Sequence, residues 1–190
     1  MKKGDIMKKI LGTFIAFTLA VILITLPMAG YAEAREGQAK STEAIGASQL
    51  NTSNVSILNN LMLQKMNSLR ASVGVGSLSI DATLNSYAAT RSVEATTKWS
   101  HTRPNGAQGC DMIPANKWRG ENLSYVTFPE FDYSEEEQEQ AADVMFDNLV
   151  ASPTHYDNMT FGSFTKVGIR TNVANTADGT RLTTAYLFSN

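Results

Sequence analysis

An α+β fold is predicted by the order in which two kinds of hydrophobic periodicity appear along the chain. Three stretches with apolar residues at three-to-four spacing come first, and two runs rich in β-branched and aromatic residues, joined around Asp178-Gly179, come last. No regular alternation of strand and helix is present, so the pattern is one of helices packed on a sheet. A chain of 190 residues with 43% hydrophobic side chains and a net charge of −2 has room for one well-packed domain.

Residues 1–34 read as a secretory signal peptide. Lys2, Lys3, Lys8 and Lys9 precede an uncharged apolar run over residues 10–28, and Ala32-Glu33-Ala34 supplies small residues for cleavage before Arg35. An uncleaved membrane anchor is the alternative, because the run approaches the length of a bilayer span. Removal of the leader would leave twelve basic and sixteen acidic side chains. That balance offers no electrostatic footprint for nucleic acid. Residues 35–53 are small, polar and without apolar periodicity, as in a flexible linker. The folded domain is then expected over residues 54–190.

The first helix is expected to start at Ser53 or Asn54 as cap, to bury Ile57, Leu58, Leu61, Met62, Met66 and Leu69, and to stop at Gly74 and Gly76. A second starts at Asp81 and buries Leu84, Tyr87, Ala88, Arg91 and Ala95, after which Trp99 packs under the loop carrying His101. Residues 101–131, interrupted by Pro104, Gly106, Gly109, Pro114, Gly120 and Pro129, read as a long irregular segment held in place by Met112, Ile113, Trp118 and Leu123. Ser134 and Glu137 form a capping box that opens a third helix, with Ala141, Ala142, Met145, Phe146 and Leu149 on its buried face and Ser152-Pro153 as its end. The acidic run at its start suits the helix dipole and lacks the alternating oxygen ligands of a calcium loop. Residues 166–173 and 181–188 make an antiparallel hairpin.

The chain has two histidines, His101 and His155, and one cysteine, Cys110. A lone cysteine makes no internal disulfide, so an exported domain of this kind depends on its core. The four Asn-x-Ser/Thr sequons, at Asn51, Asn54, Asn122 and Asn158, are taken as chance, since the short Lys-rich leader and the absence of disulfides look bacterial. Two imidazoles and one carboxylate, Glu121, have the composition of a catalytic zinc site, but the spacing is not that of a metal-binding helix. Ser100, Ser152 and Cys110 stand near the histidines without a Gly-x-Ser-x-Gly turn to present a nucleophile.

Taken together, His101-x-x-Pro104-Asn105-Gly106, Gly120-Glu121-Asn122 and Ser152-Pro153-x-His155, in this order between helices and a hairpin, resemble the CAP superfamily of cysteine-rich secretory, antigen-5 and pathogenesis-related proteins, and most of all its bacterial SCP-like extracellular branch. The resemblance implies an α-β-α sandwich with a central antiparallel sheet between helical layers. It also implies a cleft in which His101 is the first histidine, Glu121 the acid of Gly-Glu-Asn and His155 the second histidine. Where eukaryotic members carry Trp, two variable residues and Glu, this chain has Leu149-Val150-Ala151-Ser152, so the cleft's second acid is absent or replaced by Ser152. The expectation is a secreted binding module whose cleft holds a divalent cation such as zinc, on His101 and His155 with Glu121 as a further candidate. Its partner is an extracellular ligand, a cell-wall component or a host protein, and it meets the membrane only through the leader if that stays uncleaved. The alternative is a metal-dependent hydrolase of peptide or cell-wall substrates using the same three residues.

Overall fold

The structure is a computed structural model describing residues 54–190. The predicted signal and linker segments, and Ser53, lie outside the described residues. Helix α1 spans Ser56–Ser72, the two-residue strand β1 is Ser79–Ile80, helix α2 is Ala82–Thr97, and a 3-10 turn covers Gly109–Met112. Strand β2 (Arg119–Phe128), helix α3 (Glu135–Ala151), helix α4 (Pro153–Thr160) and strands β3 (Lys166–Thr176) and β4 (Gly179–Ser189) follow. Among the described residues no helix is long and apolar enough to cross a membrane.

The sheet runs in the order β1-β3-β4-β2. Its three long strands are antiparallel, while β1 adds a short parallel edge beside β3, so the sheet is mixed where an antiparallel one is expected. Side chains alternate across β4, and each face has its own core. Leu182, Tyr186 and Phe188 pack with Leu58, Met62 and Met66 of α1 and Ala141, Met145 and Leu149 of α3. Ala185 and Leu187 pack with Leu84, Ala88 and Ala95 of α2, together with Ile113 and Leu123. Helices therefore cover both faces, giving the α-β-α sandwich. Gly168 lets α2 press onto β3, since a Cβ there would overlap the backbone carbonyl of Leu84.

Several local expectations are corrected. Asn54 does not cap α1: Val55 holds the cap position without a side-chain bond, and Gln138 of α3 reaches across to accept from Leu58 N–H at 3.1 Å. A tertiary contact thus replaces the local cap. Asp81 caps α2 as expected, accepting from Leu84 N–H at 2.9 Å. The box at α3 is only half made, because Ser134 accepts from Glu137 N–H whereas the Glu137 carboxylate turns to Asp132 N–H at 2.6 Å. Ser152-Pro153 ends one helix and begins another, since a proline at the first helical position forfeits no intrahelical bond. Trp99 does not pack under the His101 loop; it is exposed and meets Tyr125 edge-on.

The largest correction is β2. Residues 119–128 form a ten-residue strand, not part of an irregular loop. Its first half carries Glu121, Asn122 and Ser124 in buried positions where a strand ordinarily shows apolar side chains. Its second half, Tyr125-Val-Thr-Phe128, holds the β-branched and aromatic signal that could have revealed it.

Candidate functional site

Glu121 lies on β2 opposite Leu187 of β4 and faces α2. From α2, the fully buried Arg91 donates through Nε to Glu121 Oε2 at 2.7 Å and through Nη2 to Oε1 at 3.2 Å. The same guanidinium reaches Glu94 Oε2 at 2.6 Å and the Ser100 carbonyl at 2.8 Å. Burial by itself would lower the Arg91 pKa, but the hydrogen bonds to Glu121 and Glu94 prevail and hold it above its ordinary value. Arg103 also binds Glu94, and that contact leads in holding the Glu94 carboxyl below the usual range. Gly109 stands against the Arg91–Glu121 pair, where a methyl would overlap the Glu121 carboxylate and Arg91 Nε.

The same carboxylate orients the first histidine. His101 Nδ1 is 2.8 Å from Glu121 Oε1. An ionised carboxylate only accepts, so Nδ1 carries the proton, and in the neutral ring the lone pair is left on Nε2. The His101 side chain is 53% exposed, against 4% for Glu121: a reachable ring held by a buried anchor. Its carbonyl accepts from Gly109 N–H at 2.8 Å, which closes the loop over the ion pair.

The next residue along β2 fixes the second histidine. Asn122, pointing to the other face of the sheet, donates to the His155 carbonyl at 2.9 Å and accepts from Asn158 Nδ2 at 2.8 Å. Asn158 also donates to the Glu121 carbonyl at 3.2 Å, tying the first and second turns of α4 to the strand. Gly120 leaves room for this, since a Cβ there would press within 3.1 Å of Asn158 and 2.9 Å of Phe164. His155 is thus a helical residue, not the loop residue expected from Ser152-Pro153. Its ring centroid lies 6.3 Å from that of His101 at an interplanar angle of 50°. Burial, and then the nearby His101, hold the His155 pKa below its ordinary value.

The three residues singled out in the sequence are therefore neighbours, with unequal parts to play. Both Glu121 oxygens are engaged, and among the described residues no three His, Cys, Asp or Glu side chains are grouped to hold a metal ion. Two neutral imidazoles suit a divalent cation, with His101 offering Nε2; Glu121 acts behind His101 as an orienting group. Ser152 points its hydroxyl to Thr154 Oγ1 at 3.5 Å and supplies no acid. Cys110 is half-buried, and burial followed by the adjacent Asp111 raises its pKa, which disfavours the reactive thiolate. Sequence reasoning missed Arg91 as a site residue, although an arginine on the buried face of a helix already calls for a buried anion.

A mixed sheet between helical layers, with a pair of imidazoles anchored from one edge strand, defines the class of protein. Residues 63–186 match CAP, the cysteine-rich secretory protein family, and the chain belongs to that family. Among solved structures, an outer surface protein from Borrelia burgdorferi is similar with a TM-score of 0.54 and 16% identity, over 72% of this chain and 94% of that one. An extracellular protein containing an SCP domain, from Bacillus anthracis str. Ames, is similar with a TM-score of 0.50 and 14% identity, over 77% of this chain and 44% of that one. NaASP2, solved with Zn2+, is similar with a TM-score of 0.45 and 17% identity, over 69% of this chain and 79% of that one, too distant a likeness to speak for metal here. No curated protein matches the chain.

Proposed function

We propose that the protein is a secreted bacterial CAP-domain binding module, exported through residues 1–34, whose His101–His155 cleft takes a divalent cation such as zinc and an extracellular ligand, either a cell-wall component or a host protein. The observation that carries this reading is the double engagement of Glu121, whose oxygens are held by Arg91 and His101. A general base needs a carboxylate oxygen within reach of the proton it takes, and here the carboxylate is 4% exposed with its oxygens turned to Arg91 and His101. The competing reading, a metal-dependent hydrolase with Glu121 as base, asks for such an oxygen. A cation on His101 and His155 would leave coordination positions open to an oxygen of the ligand.

The test is zinc titration by calorimetry on the full chain, with His101→Ala, His155→Ala and the double variant, beside peptide and cell-wall hydrolysis assays. Zinc binding weakened strongly by either substitution, without turnover, is the expected result. Unchanged affinity in the double variant would end the metal assignment, and zinc-dependent hydrolysis would overturn the binding-module reading.

A further inference from the structure

Beyond the cleft, the α2 face of the sheet carries an exposed aromatic corner that the imidazole site does not use. Tyr125 lies four residues past Glu121 on β2, roughly 13 Å along the strand. Trp99, just beyond the end of α2, meets it edge-to-face with centroids 4.8 Å apart and planes at 77°. Both rings are large and open to solvent, Trp99 at 47% and Tyr125 at 44% exposure. Arg181 of β4 lays its guanidinium 3.9 Å from the Tyr125 centroid and 5.6 Å from that of Trp99.

The charge in this corner is not answered. Among the described residues Arg181 has no carboxylate within salt-bridge distance, unlike Arg91, Arg103 and Arg119. Its Nε is buried without a hydrogen-bond partner, as is the hydroxyl of Thr183, two residues on along β4 and in register with Tyr125. Stacking on Tyr125 occupies a face of the guanidinium, and Nε is buried, so the part left to match a carboxylate is the terminal Nη1–Nη2 end. Trp99 contributes a broad apolar face beside that edge.

We propose that Trp99, Tyr125 and Arg181 form a binding site for an acidic sugar, a pyranose that carries a carboxylate. The flat C–H face of the ring packs on Trp99, and the carboxylate pairs with the Arg181 edge. An acidic peptide would meet the same Arg181 but has no flat C–H face to lay on Trp99. Because Tyr125 stands on the edge strand β2, whose outer main chain is unpaired in the sheet among the described residues, a peptide is the alternative that triglutamate tests. The proposal takes from the preceding reading only that the domain works outside the cell. Zinc binding at the histidines and sugar binding at this corner succeed or fail separately.

Calorimetry on the full chain with trigalacturonic acid, a neutral galactose trisaccharide and triglutamate tests it. Trigalacturonic acid should bind more tightly than either of the others. Trp99→Ala should weaken both sugars by about tenfold or more, and Arg181→Gln should erase the preference for the acidic one. Arg181→Lys, which keeps the charge without the stacked fork, should retain part of that preference, which separates lost recognition from a folding defect in Arg181→Gln. Trp118→Ala, in the separate exposed pair with Phe161, should change nothing. Absence of trigalacturonate binding, equal binding of triglutamate or of the neutral sugar, or full affinity in Trp99→Ala would each overturn the site.

Discussion

Arg91 donates to Glu121 from a guanidinium 1% exposed to a carboxylate 4% exposed, across the interface between α2 and the edge strand β2. Each charge is tolerable there only because of the other. Arg91→Met leaves the Glu121 carboxylate buried against a thioether, at a cost of about 3 kcal/mol or more. Arg91→Met combined with Glu121→Leu should regain part of that loss, since it removes the stranded carboxylate while the Arg91 contacts to Glu94 and the Ser100 carbonyl stay lost. Urea midpoints of the wild type, the single and the double variant measure it; a double variant no more stable than the single would refute the pairwise account.

Helices α1, α2 and α3, their buried faces and the terminal hairpin were legible because apolar periodicity states them directly: Leu58, Met62 and Met66 repeat at a spacing of four, and Asp178-Gly179 marks the turn. Helix α4, which buries only Met159, carries no such signal and was not legible. Gly179 has φ 122°, open to glycine and strained for other residues. The edge strand β2 was not legible, and for the reason that makes it important. Glu121, Asn122 and Ser124 are polar residues whose partners, Arg91, His155 and Tyr186, come from 30 or more positions away. A hydropathy pattern registers only the polar half of each such pair, so a buried strand resembles a loop. The three motif residues could be read as a site, but the arginine behind them required the fold to be seen.

Asn122 should prove specific to the second histidine. It is fully buried and holds the His155 carbonyl and the Asn158 amide at once. Asn122→Ala strands both, at about 1–3 kcal/mol. Ring NMR resonances of His155 should shift in this variant while those of His101, anchored separately by Glu121, stay in place. Equal movement of both rings would mean that the two anchors are one unit.

Stability should depend on pH through His155. Its pKa in the folded protein is lowered, by burial first and by His101 second, so the unfolded chain binds the proton more readily. The contribution is therefore complete above the ordinary imidazole pKa near 6.5 and is lost as pH falls through that value towards the lower folded pKa. Urea midpoints measured with a chelator present between about pH 8 and pH 5 should fall on the acid side, and His155→Gln should flatten that part of the curve. A steeper acid loss in His155→Gln than in the wild type would reverse the sign and contradict the assignment.

Glu121→Gln separates an orienting group from a catalytic base, and the geometry says how. In the wild type Oε2 accepts from Arg91 Nε, while Oε1 accepts from Arg91 Nη2 and faces His101 Nδ1. A glutamine keeps one oxygen, which the buried Arg91 must claim. Its NH2 group then points at His101 and donates, so Nδ1 has to become the acceptor and the proton moves to Nε2. The lone pair that would bind a cation is lost with that change of tautomer. Zinc affinity should drop by about tenfold to a hundredfold, the range found when an orienting partner of a metal-bound histidine is removed. The urea midpoint should fall as well, because Arg91 loses its anion. Nitrogen NMR of the His101 ring should report the proton on Nε2 in the variant and on Nδ1 in the wild type. A catalytic base would behave otherwise: zinc affinity and tautomer would stay as they are and only turnover would disappear.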